Sequence, residues 1–284
     1  MPTDLNSVRW IHGVADCRRS TDPPLQVVAY DDDTFILRQS KCVHPEGPFS
    51  YLLFGNDAVL LHDTGATASR QRFPIRRTVD DLIARWLQAR GRERIRLIIS
   101  HSHGHDDHVA GDVQFDDLPA GSIAQTGVEE VARFFGIADW PRGQGVRDLG
   151  GRILDVLPTP GHFEDHIMLF DRSRGWLLSG DTLYPGLLIV HDWNAYRKSI
   201  QRLAQFCRDA AQNGTAVTHI LGAHIEMKNQ PGEFYEPQTP FQPDEHALPL
   251  KVEHVFELAA ALESAGETPR RIQRDDFVVE PFGA

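Results

Sequence analysis

The sequence predicts a mixed α/β fold, a two-sheet core with helices packed outside it. Two observations carry this: strand signals come in adjacent pairs joined by tight turns, as in hairpins, and between them lie segments with the apolar spacing of amphipathic helices. The alternation is not the strict strand–helix–strand of an all-parallel sheet. At 284 residues, with 41% hydrophobic and 24% charged, the chain is long enough to bury a sizeable core without staples.

The elements follow in order. The first 25 residues are polar and irregular and end at Pro23-Pro24. Strands are expected at Gln26–Tyr30 and Thr34–Arg38 across an Asp-rich turn, then at Tyr51–Phe54 and Ala58–His62 across Gly55-Asn56-Asp57. Val79, Leu82, Ile83, Trp86 and Leu87 recur at the spacing of one buried helix face, ending near Gly91. Ile95–Ser100 is a short β-branched run suited to a strand buried on both faces. Further strands are expected at Ser122–Gln125, Arg152–Leu157, His166–Asp171, Trp176–Ser179 and Thr218–Leu221. Helices are expected at Val128–Phe135, from about Trp193 to Asp209, and around Val252–Leu262. Pro231–Pro249, rich in Pro, Gln and Glu, reads as a long surface loop.

Composition removes several function classes. Lys and Arg number 29 against 40 Asp and Glu, a formal charge of −11, which argues against a nucleic-acid partner. No apolar run approaches membrane-spanning length, so no membrane role is expected. Met1 to Asp22 carries charges throughout and has no apolar signal core. Three cysteines, odd in number and far apart, suit a reducing cytoplasm better than a disulfide framework.

Ser100-His101-Ser102-His103-Gly104-His105-Asp106-Asp107-His108 follows the Ile95–Ser100 strand directly. Four histidines and two aspartates within eight residues at a strand end supply N and O donors suited to zinc, iron or manganese. A lone histidine is usually a surface or packed residue; this cluster is not explained that way.

His103-x-His105-x-Asp107-His108 resembles the HxHxDH signature of the metallo-β-lactamase superfamily, and the continuation to Gly111 resembles its DHxGG. Starting the pattern at His101 fails, because residues 105–106 read His-Asp rather than Asp-His. Thr159-Pro160-Gly161-His162, Ser179-Gly180-Asp181-Thr182-Leu183 and Gly222-Ala223-His224 each follow an expected strand. They resemble the segments that carry the next histidine, the bridging aspartate and the last histidine. Leu61-His62-Asp63-Thr64-Gly65 resembles the family's Asp-Thr-Gly turn. The resemblance covers roughly Gln26 to His224.

By that resemblance the fold is an αββα sandwich with metals at one edge, and residues 1–284 form one such domain, with a core of about 26–224 and a C-terminal extension, 225–284, that shapes the site. His103, His105 and His162 would bind one ion, Asp107, His108 and His224 a second, with Asp181 bridging. The implied activity is a dinuclear metal-dependent hydrolase, two zinc ions by preference with Fe or Mn as alternatives, sharing a hydroxide that attacks an ester, lactone, thioester or amide bond of a small molecule. Asp107 would orient the nucleophile or shuttle a proton, and Asp63 would hold the histidine loop through hydrogen bonds. Tyr184, three residues after Asp181, is a candidate to bind the substrate or its oxyanion, against a packing role. Cys42 is read as a buried small hydrophobe rather than a reactive thiol, and Asp192 as a helix cap. Phe234, Tyr235 and Phe241 form either a substrate wall or an anchor for the tail. The basic residues by which glyoxalase II-like relatives bind glutathione are not identifiable in the C-terminal segment. A second reading of the resemblance is a mononuclear iron oxidoreductase like the persulfide dioxygenases, although the full ligand set counts against it.

Overall fold

The structure is a computed structural model that describes residues 2–283. Its first sheet is a meander of β1 (Leu25–Asp31), β2 (Thr34–Gln39), β3 (Phe49–Phe54) and β4 (Ala58–His62), closed by β5 (Arg96–Ser100) parallel to β4. The crossover from β4 to β5 is α1 (Ile75–Ala89). The short α2 (Asp106–Val109) and then α3 (Val128–Phe135) follow. Next come β6 (Gly145–Asp148), β7 (Ile153–Pro158), β8 (Ile167–Asp171), β9 (Trp176–Gly180), β10 (Leu187–Val190), α4 (Trp193–Gln212), β11 (His219–Gly222), β12 (Pro249–Leu250), α5 (Val252–Ala265), β13 (Ile272–Gln273) and β14 (Val278–Pro281). The second sheet runs β12-β11-β9-β8-β7-β6, while β10, β14 and β13 form a small third sheet.

Side-chain alternation explains the layering. On β3 to β5, Tyr51, Leu53, Leu60 and Ile98 face the second sheet, whereas Leu52, Leu61, Leu97 and Ile99 face α1 through Val79, Leu82 and Trp86. On the second sheet, Leu169 and Leu178 face inward, and Met168, Phe170 and Leu177 pack against Leu203 of α4 and Leu258 of α5. Helix, sheet, sheet and helix therefore stack as an αββα sandwich. Strands buried on both faces explain the near-continuous apolar runs in the sequence.

Three expectations need correction. Ser122–Gln125 is not a strand; only Ile123 bridges to Ile99, because the segment merely brushes the edge of β5 before α3. The strands β6, β10, β12, β13 and β14 have no expected counterpart: each is four residues or fewer, too short for a clear pattern, and β10 and β12 pair only with chain distant in sequence. The cysteine reading also fails. Cys17 and Cys42 form a disulfide, with Cα atoms 5.2 Å apart, and only Cys207 is free and buried. A separation of 25 residues hid a contact that arises because the N-terminal segment folds back over the 40–47 turn.

Candidate metal centre

Each cluster residue sits just past the C-terminal end of a strand. Asp63 follows β4, the His101–His108 run follows β5, His162 follows β7, Asp181 follows β9 and His224 follows β11. Strands β4 and β5 are parallel in one sheet, and β9 and β11 are parallel in the other, so these ends gather on one rim of the sandwich. Two glycines let the rim close. Gly161 has φ +145°, and a Cβ there would lie 2.4 Å from Tyr196 Cα; at Gly180, φ +49°, a Cβ would lie 2.6 Å from Ser102 Cβ.

Two groups of donors face each other. His103 Nε2 and His105 Nδ1 are 2.8 Å apart, and His162 Nε2 is 3.2 Å from both. Two neutral imidazoles can share one proton between them, but a third nitrogen equidistant from both gains nothing from it. Ligand nitrogens held tetrahedrally at 2.0–2.1 Å from zinc are separated by about 3.3 Å, which matches this triangle. In the second group, His108 Nε2 lies 3.5 Å from Asp107 Oδ2 and 3.5 Å from Asp181 Oδ1, and His224 Nε2 lies 3.3 and 3.5 Å from the same two oxygens. His108 Nε2 and Asp181 Oδ1 are buried without a hydrogen-bond partner, as expected of atoms aimed at an ion. Asp181 joins the groups: Oδ1 faces the second, while Oδ2 lies 3.7 Å from His162 Nε2. The residues present therefore fit a pair of divalent cations.

The outward ring nitrogens are held as well. His162 Nδ1 donates to Ile189 O at 2.8 Å, His108 Nδ1 to Asp63 Oδ2 at 3.1 Å, and His224 Nδ1 points at Glu46 O at 3.4 Å. A proton kept on Nδ1 leaves the Nε2 lone pair for the ion. Burial lowers His162 to about 4 and drives His103 well below the usual imidazole range, so both present lone pairs at neutral pH. His224 responds oppositely: against its burial, the charges of Asp181 and Asp107 raise it to about 9. Without a cation, those carboxylates draw protons into the second group.

Asp63, 1% exposed, accepts from Ser102 N at 2.7 Å, Ser102 Oγ at 3.0 Å and His108 Nδ1, and thus ties the Asp-Thr-Gly turn to the histidine run. Burial would raise its carboxyl, but the charges of His108 and His62 hold it at about 2. His101 stands apart from both groups, with Nε2 3.1 Å from Asp112 Oδ2.

Residues not singled out in the sequence complete the rim. Asp165 accepts from Gly104 N at 3.1 Å and Gly127 N at 2.6 Å, clamping the histidine run to the start of α3. His166 is fully buried, bonds Thr159 Oγ1 at 2.8 Å and stacks on the His103 ring. The signal was Asp165-His166, a second histidine beside a carboxylate only three residues after Gly161-His162-Phe163.

Other candidates fall outside the two groups. The Tyr184 hydroxyl donates to Leu187 O at 2.7 Å, and its ring lies 5.7 Å from that of His224. Cys42, expected as a buried small hydrophobe, is half-buried and bonded to Cys17. Asp192 caps α4 by accepting from Ala195 N at 2.9 Å. Phe234 packs with Met227, Leu187 and Val278, Tyr235 Oη accepts from Asp244 N at 3.0 Å, and Phe241 rests on His12.

Residues 44–218 match the metallo-beta-lactamase superfamily, with His224 just beyond the matched region. The hydroxyacylglutathione hydrolase of Rhizobium meliloti (strain 1021) is 32% identical over 182 residues, 62% of this chain and 68% of that protein. The acyl-coenzyme A thioesterase MBLAC2 of Homo sapiens is 45% identical over 53 residues, 19% of this chain and 18% of that protein. A metallo-beta-lactamase structure from Erythrobacter litoralis shares the fold at 15% identity, with 86% of this chain and 99% of that chain aligned and a TM-score of 0.54. One from Pseudomonas aeruginosa, solved in a mono-zinc form, aligns over 88% of this chain and 99% of its own at 15% identity and a TM-score of 0.52.

Proposed function

The chain belongs to the metallo-beta-lactamase superfamily and is a metal-dependent hydrolase; within that class we propose that it holds two divalent ions, zinc by preference, and hydrolyses a thioester or related ester of a small molecule. The observation that carries the dinuclear reading is Asp181, whose two oxygens face two separate donor groups. The thioester preference draws on the hydrolase and thioesterase relatives. Bound there, such ions would supply a water nucleophile ionised near neutrality and would polarise the substrate carbonyl.

The protein's own groups do the rest. His103, His105 and His162 stay neutral through burial and hold one position; Asp107, His108 and His224 hold the other. Asp107, more open than Asp181, takes a proton from water and delivers it to the leaving group. The single-domain reading of residues 1–284 belongs to the same proposal. It is supported by the buried bidentate pair of Arg38 on β2 with Glu245, at 2.5 and 2.6 Å, and by Gln242 N donating to His12 O. A cytoplasmic setting would keep Cys17 and Cys42 reduced, so the thiol count of protein isolated under alkylation tests it.

Metal analysis with Asp181→Asn tests the function. The wild type should carry about two equivalents of zinc and hydrolyse simple thioesters; Asp181→Asn should lose one equivalent and more than about tenfold in turnover. One iron per chain with no zinc would favour the mononuclear oxidoreductase instead, and an unaltered Asp181→Asn would refute the bridge.

A further inference from the structure

A long surface groove leaves the metal centre along α4. Its inner part, a hollow of about 610 Å3, is bounded by His162, Phe163 and His191; its outer part, about 760 Å3, is bounded by Lys198, Gln201 and Arg202. Both parts share Trp140, Pro141, Pro160, Asp192 and Ala195, so they form one channel with an apolar middle. Backbone bonds from His191 N and Asp192 N to Gly161 O fix the start of α4 beside His162.

Charge along this groove is polarised. Glu164 stands at the inner end, and Asp192, which lines both parts, is spent on the α4 cap. The outer end is cationic. Lys198 and Arg202 line it, whereas the other cations of this part of α4 face α5, Arg197 Nε donating to Leu262 O at 3.3 Å and Arg208 lying over the Phe256 ring. Arg142, also at the outer end, is neutralised by Asp139 at 3.1 Å. Arg202 is half-buried, and its hydrogen bonds go to uncharged acceptors, Pro158 O at 3.2 Å and Ser199 Oγ at 3.1 Å. Among the described residues, neither it nor Lys198 has a carboxylate partner. A guanidinium taken half out of water without a counter-charge is costly unless a ligand supplies one.

Length selects the ligand. From Asp192 to Arg202 is ten helical residues, about 15 Å along the axis. Both carboxylates of a glutathionyl thioester lie within one residue of the cysteine, a reach of roughly 7–10 Å from extended-chain dimensions. A pantetheine arm places two amides and a branched alcohol between its sulfur and its phosphate, and so covers the longer span.

We propose that this groove seats the thiol half of the substrate, an acyl thioester of a phosphorylated pantetheine, with Arg202 and Lys198 holding the phosphate and Trp140, Pro141 and Pro160 covering the arm. The assignment rests on the thioester reading above, and non-hydrolysable thioethers separate the two. Calorimetric titration of the metal-loaded protein uses S-methyl coenzyme A, S-methyl pantetheine and S-methylglutathione. The first should bind at least about tenfold more tightly than the second, because charge-assisted bonds to phosphate are the strong ones. Lys198→Gln with Arg202→Gln should abolish that advantage. Lys198→Glu alone, fully on the surface, should weaken coenzyme binding with no change in unfolding temperature, which excludes a folding artefact. Equal affinity for the phosphorylated and unphosphorylated thioethers, an advantage that survives the double substitution, or tightest binding of S-methylglutathione would overturn the proposal. Hydrolysis of S-acetyl-N-acetylcysteamine, which has neither phosphate nor long arm, reports on the metal chemistry alone. Its absence would sink the thioester reading without touching the binding result.

Discussion

Replacing Asp63 by asparagine should weaken binding at the second metal position while leaving the first intact. Asp63 touches no proposed ion; it acts through His108, whose Nδ1–H it accepts at 3.1 Å. Asparagine tolerates the left-handed backbone at this position, φ +66°, and its carbonyl can still accept from Ser102 N. Its amide, however, would direct an N–H at the His108 Nδ1–H. Relief requires the imidazole to move its proton to Nε2, the atom aimed at the ion. Losing such an orienting partner costs about 10–100-fold in metal affinity, or roughly 1.4–2.8 kcal/mol. Leaving a buried donor unsatisfied costs a similar 1–3 kcal/mol in the metal-free protein. The assay is a zinc titration against a chromophoric chelator, with two affinities resolved in the wild type. In Asp63→Asn the tighter step for His103, His105 and His162 should persist and the other weaken. Two wild-type affinities in the variant would refute the claim that the carboxylate fixes the His108 tautomer.

Five further outcomes are expected. Gly161→Ala should cost both metal and stability, since its Cβ would meet Tyr196 at 2.4 Å from a strained φ; metal content and thermal unfolding check it. Burial lowers His62 to about 4 from an ordinary value of 6.5, so between those values the unfolded chain binds a proton that the folded one does not; stability is lost as pH falls through this window, by up to about 3 kcal/mol. His62→Gln should flatten that acid limb in denaturant titrations. Removing the Cys17–Cys42 bond, with its 25-residue separation, should lower unfolding free energy by about 3–4 kcal/mol, read by denaturation with and without reductant. Phe234→Ala should lower stability by about 1–3 kcal/mol with an unchanged substrate profile, given its packing on Met227 and Val278, while Tyr184→Phe should leave turnover unchanged if its bond to Leu187 O is structural.

The sequence by itself determined the chemistry of the rim and the alternation of the layers. Metal donors must be particular residue types, and the proposed ones, His103, His105, Asp107, His108, His162, Asp181 and His224, stand past strand ends, so they could be read in order. The apolar periodicities of α1, α4 and α5 marked their helices within a few residues. What only the tertiary structure decided depends on groups far apart in sequence. Which oxygen of Asp181 faces which donor group, which ring nitrogens of His108 and His162 are tied back, and that Cys17 meets Cys42 all follow from the closing of two sheets on one another. The groove along α4 is of the same kind. Lys198 and Arg202 stand in the expected helix, but periodicity cannot show that Trp140 and Pro141, more than fifty residues earlier, lie across from them and line one groove that reaches His162.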